Sequence, residues 1–135
     1  MTHSRKTYYK YIFLAATVYD VVLGVVFTFF YRFAFKLLGI EDRLPNYSAY
    51  LSLIGAFLLV IGIAYLLIFL GDLRRNRDLI LIGALFKLAY FSVTLAYLII
   101  GHYPHIIFFL LFGLIDLVFF VTMMECYLHI RNVES

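Results

Sequence analysis

In this chain of 135 residues, 65% are hydrophobic and only 14% charged, whereas a soluble domain is roughly half apolar and about a quarter charged. So short a soluble fold could not hide that much apolar surface, but a bilayer removes the need. The net charge of +3 is modest and most basic residues sit in short segments beside apolar runs, which favours topology setting and anionic lipid headgroups over nucleic acid, so no nucleic-acid partner is expected.

Taken in chain order, Arg5, Lys6 and Lys10 precede a first apolar run over about residues 11–30, interrupted by Asp20 alone. The run is long, contains a charge and lacks a small-residue cleavage site, so it reads as a retained helix rather than a signal peptide. Residues 31–38 (YRFAFKLL) place Arg32 and Lys36 one turn apart above an aromatic and leucine face, the pattern of a short interfacial helix. A second run at about 49–70 carries no charge. Arg74, Arg75 and Arg77 then form a basic anchor before a third run at about 79–100, broken only by Lys87. The fourth, about 106–128, contains Asp116 and reaches Glu125 near its end.

Each run is about 20 residues, the length a helix needs to cross ~30 Å of hydrocarbon. The ~10-residue alternating segments of a membrane barrel are absent. The expected fold is all-α: an integral membrane four-helix transmembrane bundle, residues 1–135 forming one domain. With four spans, the basic residues of the N-terminus, second loop and C-terminus (Arg131) outnumber Arg32, Lys36 and Arg43 of the first loop. That asymmetry places both termini in the cytoplasm.

Three of the runs each carry a charge near mid-span. At 1.5 Å per residue, Asp20 and Lys87 lie roughly 12–13 Å from the cytoplasmic ends of their helices, and Asp116 about 15 Å from the opposite end. Ionisable groups at that depth are expensive and are normally paired within a bundle or line a water-filled path. Lysine's stem of about 6 Å falls short of the headgroups from there. The expected intramembrane polar cluster is therefore Asp20, Lys87 and Asp116 with Tyr90, Thr94 and Thr17. In the third span Gly83, Lys87, Tyr90 and Thr94 share one stripe; in the first, Thr17, Asp20, Gly24 and Thr28 do. Gly113 lies beside Asp116, and the second span offers Ser52, Gly55, Ala56 and Gly62. Glycine lets helix backbones approach closely in lipid, so Gly24, Gly55, Gly62, Gly83 and Gly113 are the expected packing positions.

Other features are weaker. His102 and His105 bracket a His-Tyr-Pro-His turn but offer too few ligands for a metal site. Tyr8, Tyr9, Tyr11, Tyr47, Tyr50, Tyr97 and Tyr103 populate the span ends as an aromatic belt. A single cysteine, Cys126, excludes an internal disulfide and a Cys-x-x-Cys redox pair. No phosphate-cradling glycine loop, catalytic triad or zinc motif appears, so neither catalysis nor a metal is expected.

The order YDVVLG at 19–24, Asn46-Tyr47, Gly55, Gly62, Tyr65, Gly83-x-x-x-Lys87, Gly101-x-x-Pro104 and Asp116 resembles small four-helix bacterial membrane proteins of the DoxX-like type. It departs from that type at Ile115 and Phe119-Phe120, where an asparagine and a tryptophan pair would stand. The resemblance implies a four-helix bundle in the bacterial inner (cytoplasmic) membrane and association with membrane redox systems. Three roles fit these readings: an accessory subunit packed against a partner membrane subunit or as a homo-oligomer, a binder of a hydrophobic molecule such as a quinone or lipid, and a proton-coupled transporter or channel using the charged cluster.

Overall fold

The structure is a computed structural model and describes residues 2–47, 49–101 and 106–134. Among them there is no strand. Helix α1 (His3–Phe29) is capped by Thr2, whose hydroxyl accepts from the Arg5 N–H at 3.2 Å. It begins eight residues before the apolar run because its first turns are amphipathic. Tyr9, Phe13 and Ala16 are fully buried on one face, while Lys6 is exposed and Arg5, half-exposed, reaches Tyr9 and Glu125. Phe30 leaves helical geometry, with φ −122° and ψ 22°, and turns the chain into α2 (Tyr31–Leu37). There Phe35 is buried, whereas Arg32 and Lys36 are exposed. Gly39, at φ +72°, ends α2 in the left-handed conformation that glycine adopts without strain. A 3-10 turn over Glu41–Arg43 follows.

Helices α3 (Ala49–Leu70) and α4 (Arg77–Ile100) form the second and third spans. Gly101, at φ +90°, closes α4. The fourth span, Ile106–Asn132, is assembled from α5 (Ile106–Phe109), a π-helical segment (Leu110–Leu114) and α6 (Ile115–Glu134). In the π segment the Ile115 N–H reaches back five residues to the Leu110 carbonyl. These four helices are long and apolar enough to cross a membrane. The protein is an all-α, multi-pass membrane bundle.

The bundle is built from two closely packed pairs. Helix α1 runs along α3, and α4 along α6. Glycines bring α1 and α3 together: a Cβ on Gly55 would stand 2.7 Å from the Gly24 carbonyl oxygen, and one on Gly62 3.3 Å from the Val21 nitrogen. Ser52 adds a hydroxyl bond to the Thr28 carbonyl at 3.2 Å. Ser52, Gly55 and Gly62 of the second span thus meet α1. Ala56 departs from the expected stripe and faces outward. It follows Gly55 directly, and successive helical residues point about 100° apart.

Two apolar clusters fill the space between the pairs. One, toward the termini, gathers Tyr9, Phe13, Ile61, Tyr65, Met123 and Ile130. The other, toward α2, gathers Phe27, Phe35, Leu51, Leu58 and Phe112. On α1 and on the fourth span, the boundary between them falls at Asp20 and Asp116. Tyr9 belongs to this core and not to the aromatic belt, because its hydroxyl is committed to Arg5 and Glu125. Tyr8, Tyr11, Tyr47, Tyr50 and Tyr97 face outward as a belt requires. Tyr103, His102, Pro104 and His105 lie outside the described residues.

Candidate functional site

At the boundary between the two apolar clusters, the Lys87 ammonium of α4 donates to Asp20 Oδ1 of α1 at 2.8 Å and to Asp116 Oδ1 of α6 at 3.1 Å. All three side chains are buried, at 0%, 1% and 2% exposure respectively. An ammonium has three donors, and two are used by carboxylates. The remaining surroundings are aromatic: the Lys87 Nζ lies 5.0 Å from the ring centre of Phe119, 5.2 Å from Tyr19 and 5.6 Å from Tyr65. Rings at this range stabilise a desolvated cation through their quadrupoles. The cluster holds two carboxylates against one ammonium, and Asp20 Oδ2 is buried with no hydrogen-bond partner among the described residues.

Tyrosine hydroxyls fix the cage. Tyr19 donates to the Leu111 carbonyl at 2.6 Å, tying α1 to the π segment. Tyr65 donates to the Gly83 carbonyl at 2.7 Å, tying α3 to α4. Gly83 also makes room for that ring, since a Cβ there would sit 2.6 Å from Tyr65 Cε1. Both hydroxyls are therefore satisfied by backbone oxygens rather than by the carboxylates. Their rings remain free to flank the ammonium.

One helical turn from the cluster, toward α2, a half-open cavity of about 410 Å³ enters the bundle. Phe27, Phe35, Phe108 and Phe112 supply aromatic walls, Leu51 and Ile54 an aliphatic one, and Thr94 and Tyr90 the polar atoms of the inner part. Arg43 and Tyr50 also line it. The Tyr90 and Phe112 rings stack with centroids 5.3 Å apart, and Phe86 packs on Tyr90 at 4.8 Å. Tyr90 lies three residues beyond Lys87 on α4, and Phe112 four residues before Asp116 on the fourth span. The stacked pair thus stands between the cavity and the ions.

The residues expected from sequence as one polar cluster divide into three groups. Asp20, Lys87 and Asp116 come together. Tyr90 and Thr94 line the cavity instead, farther along the α4 stripe. Thr17 is buried but donates its hydroxyl to the Phe13 carbonyl of its own helix at 2.8 Å, so it does not join the ions. Gly113 packs under Phe109, with a Cβ there meeting that ring at 3.0 Å. Sequence reasoning missed Tyr19, Tyr65 and Phe119. Phe119 is three residues from Asp116 and Tyr65 three from Gly62, spacings that share a helix face and could have revealed them. Tyr19 adjoins Asp20 and carried no such signal. No protein-family model, curated protein or solved structure matches the chain.

Proposed function

We propose that this membrane protein binds a small hydrophobic molecule in the aromatic cavity, with the caged ion cluster bracing the helices beneath it. The observation that carries the reading is the cavity itself. Its volume of about 410 Å³ falls within the ~300–1,000 Å³ typical of small-molecule sites, which are likewise mostly apolar with a few convergent polar groups. The ion cluster is a poor receptor by comparison, because its ammonium is already engaged by two carboxylates and three rings. A quinone is one candidate occupant, on the resemblance to DoxX-like proteins. The accessory-subunit reading has less support, since the small residues of α3 that would seat a partner helix are packed on α1.

Ile54→Trp places a large side chain in the cavity wall and tests this reading. Protein purified in mild detergent is extracted with organic solvent, and the extract is quantified by mass spectrometry. Wild type should carry a bound hydrophobic molecule in near-stoichiometric amount, and the folded variant should lose it. Equal content in both proteins would overturn the reading.

A second reading, proton movement through the cluster, is favoured by one observation: the unpartnered Asp20 Oδ2 beside an excess carboxylate. Proteoliposomes loaded with a pH dye separate the two. Proton flux that Asp20→Asn abolishes while the cavity variant leaves it intact would favour this second reading over the first.

A further inference from the structure

We infer that the cavity takes an uncharged, lipid-soluble molecule by a carbonyl oxygen, with the Thr94 and Tyr90 hydroxyls of α4 as its hydrogen-bond donors. This inference rests on the ligand-binding reading above and narrows it to one ligand chemistry. A hydroxyl on a helix can satisfy itself on the carbonyl four residues back, and this chain does so repeatedly. Thr7 donates to His3, Thr17 to Phe13, Ser92 to Leu88 and Thr122 to Val118, at 2.8–3.0 Å. Thr94 does not, although it lies within α4 and is only 6% exposed. Its hydroxyl has no hydrogen-bond partner among the described residues, and the side chain lines the cavity. Thr28 is the other helical threonine without a partner, but it is wedged against Gly55 in the α1–α3 seam.

The tyrosines repeat the contrast. Tyr9, Tyr19 and Tyr65 each commit their hydroxyl to another residue, whereas the Tyr90 hydroxyl has no hydrogen-bond partner among the described residues. Tyr90 and Thr94 are four residues apart and so share one face of α4. Each offers an O–H, and a carbonyl oxygen has two lone pairs to accept them. Leaving such donors unmet in an apolar site is costly, so a ligand that meets them gains what the empty cavity lacks. Charge in the wall points to a neutral ligand. Among the described residues no carboxylate lines the cavity to hold a cation, and its one cationic side chain, Arg43, already has an interaction of its own. Exposed Tyr50 of α3 and Val93 of α4 carry the wall out to the lipid-facing surface of two spans, which admits a molecule dissolved in the bilayer.

The test titrates the purified protein in maltoside detergent with four probes built on one ring system: acetylnaphthalene, its hydrocarbon counterpart isopropylnaphthalene, naphthoate and naphthylethylammonium. Binding is read by calorimetry, and the ratio between wild type and variant cancels each probe's partition into the micelle. Thr94→Val keeps the side-chain shape and removes the hydroxyl. It should weaken the ketone about fivefold, the effect of one hydrogen bond, and leave the hydrocarbon unchanged. Thr94→Ser should restore the ketone, and Tyr90→Phe should weaken it in the same direction as Thr94→Val. Tightest binding by either charged probe, a ketone affinity that Thr94→Val leaves unchanged, or equal losses of ketone and hydrocarbon would each overturn the inference. The ligand-binding reading would still stand if Ile54→Trp weakens every probe that binds. No binding by any probe, or binding that Ile54→Trp does not weaken, would overturn both. Should Ile54→Trp fail to fold, Val93→Trp intrudes from α4 and serves the same arm; should Thr94→Val fail to fold, Tyr90→Phe carries the comparison.

Discussion

At the scale of single residues, the charge count of the buried cluster makes an ordering prediction. Lys87→Met leaves two carboxylates buried without a cation, and breaking a buried pair in this way costs about 3–5 kcal/mol. Asp20→Asn or Asp116→Asn leaves one carboxylate with one ammonium, so each should cost nearer ~1 kcal/mol, the worth of a hydrogen bond. Replacing all three with uncharged residues should recover most of what Lys87→Met loses. Thermal denaturation in detergent checks the series, and an Asn variant less stable than Lys87→Met would refute the bracing role. The convergence of Asp20, Lys87 and Asp116 was legible in the sequence because depth follows from counting residues along a helix of known rise. The rings around them were not equally legible. Tyr19 lies a full 100° from Asp20 on the helical wheel, and its long side chain reaches round to the ammonium all the same.

The elements show where sequence periodicity stops being informative. Four apolar runs announced four helices, yet nothing in the run at 106–128 marks a π segment at Leu110–Leu114. A five-residue loop of backbone bonding has no hydrophobic period of its own. Its effect is rotational: the wide turn takes up one residue more than an α turn, and one further residue beyond it would turn everything that follows by about 100°. Inserting one alanine between Leu114 and Ile115 should therefore carry Asp116 away from Lys87, and thermal stability should fall as far as in Lys87→Met. An insertion variant as stable as wild type would show that the segment does not position Asp116. The glycine seam behaves differently, since its spacing was readable. Gly55→Leu forces a side chain against the Gly24 carbonyl and Thr28, and overpacking of this kind costs roughly 1–3 kcal/mol. Backbone limits the space there, so loss of stability in detergent is expected even with neighbouring side chains free to repack. The cavity was illegible for a related reason. It exists because Phe30 breaks the helix and lets α2 fold Phe35 over the bundle end, a tertiary event that hydropathy does not encode.

For the whole molecule, the two helix pairs differ in what holds them. Glycines let the α1 and α3 backbones meet closely, whereas the pairs are joined to each other by side chains. Besides the two apolar clusters, these links include the ion cluster, the Tyr19 and Tyr65 hydroxyls, the Tyr9 hydroxyl bond to Glu125, and the Arg5–Glu125 contact at 3.3 Å. The last is half-exposed and contributes little on its own. Membrane class and helix count were legible because they are compositional. The pairing was not, because the same glycines could have faced any neighbour.

That partition has a consequence for how the protein is made. The first pair owns Asp20 and no buried cation, while the second owns both Lys87 and Asp116 and is balanced by itself. Asp20 and Lys87 are 67 residues apart, so at ~5–20 residues per second the ribosome delivers the counter-charge roughly 3–13 s after the carboxylate. During that interval the nascent first hairpin holds an uncompensated acid in lipid, a state that quality-control proteases can recognise. A chain truncated after Asn76 should accordingly be degraded rapidly in cells, and Asp20→Asn should lengthen its lifetime. Supplying residues 77–135 as a separate polypeptide should do the same for the truncated wild type. Pulse-chase decay rates measure all three, and equal lifetimes with and without Asp20 would show that the unfinished protein is not marked by its missing partner.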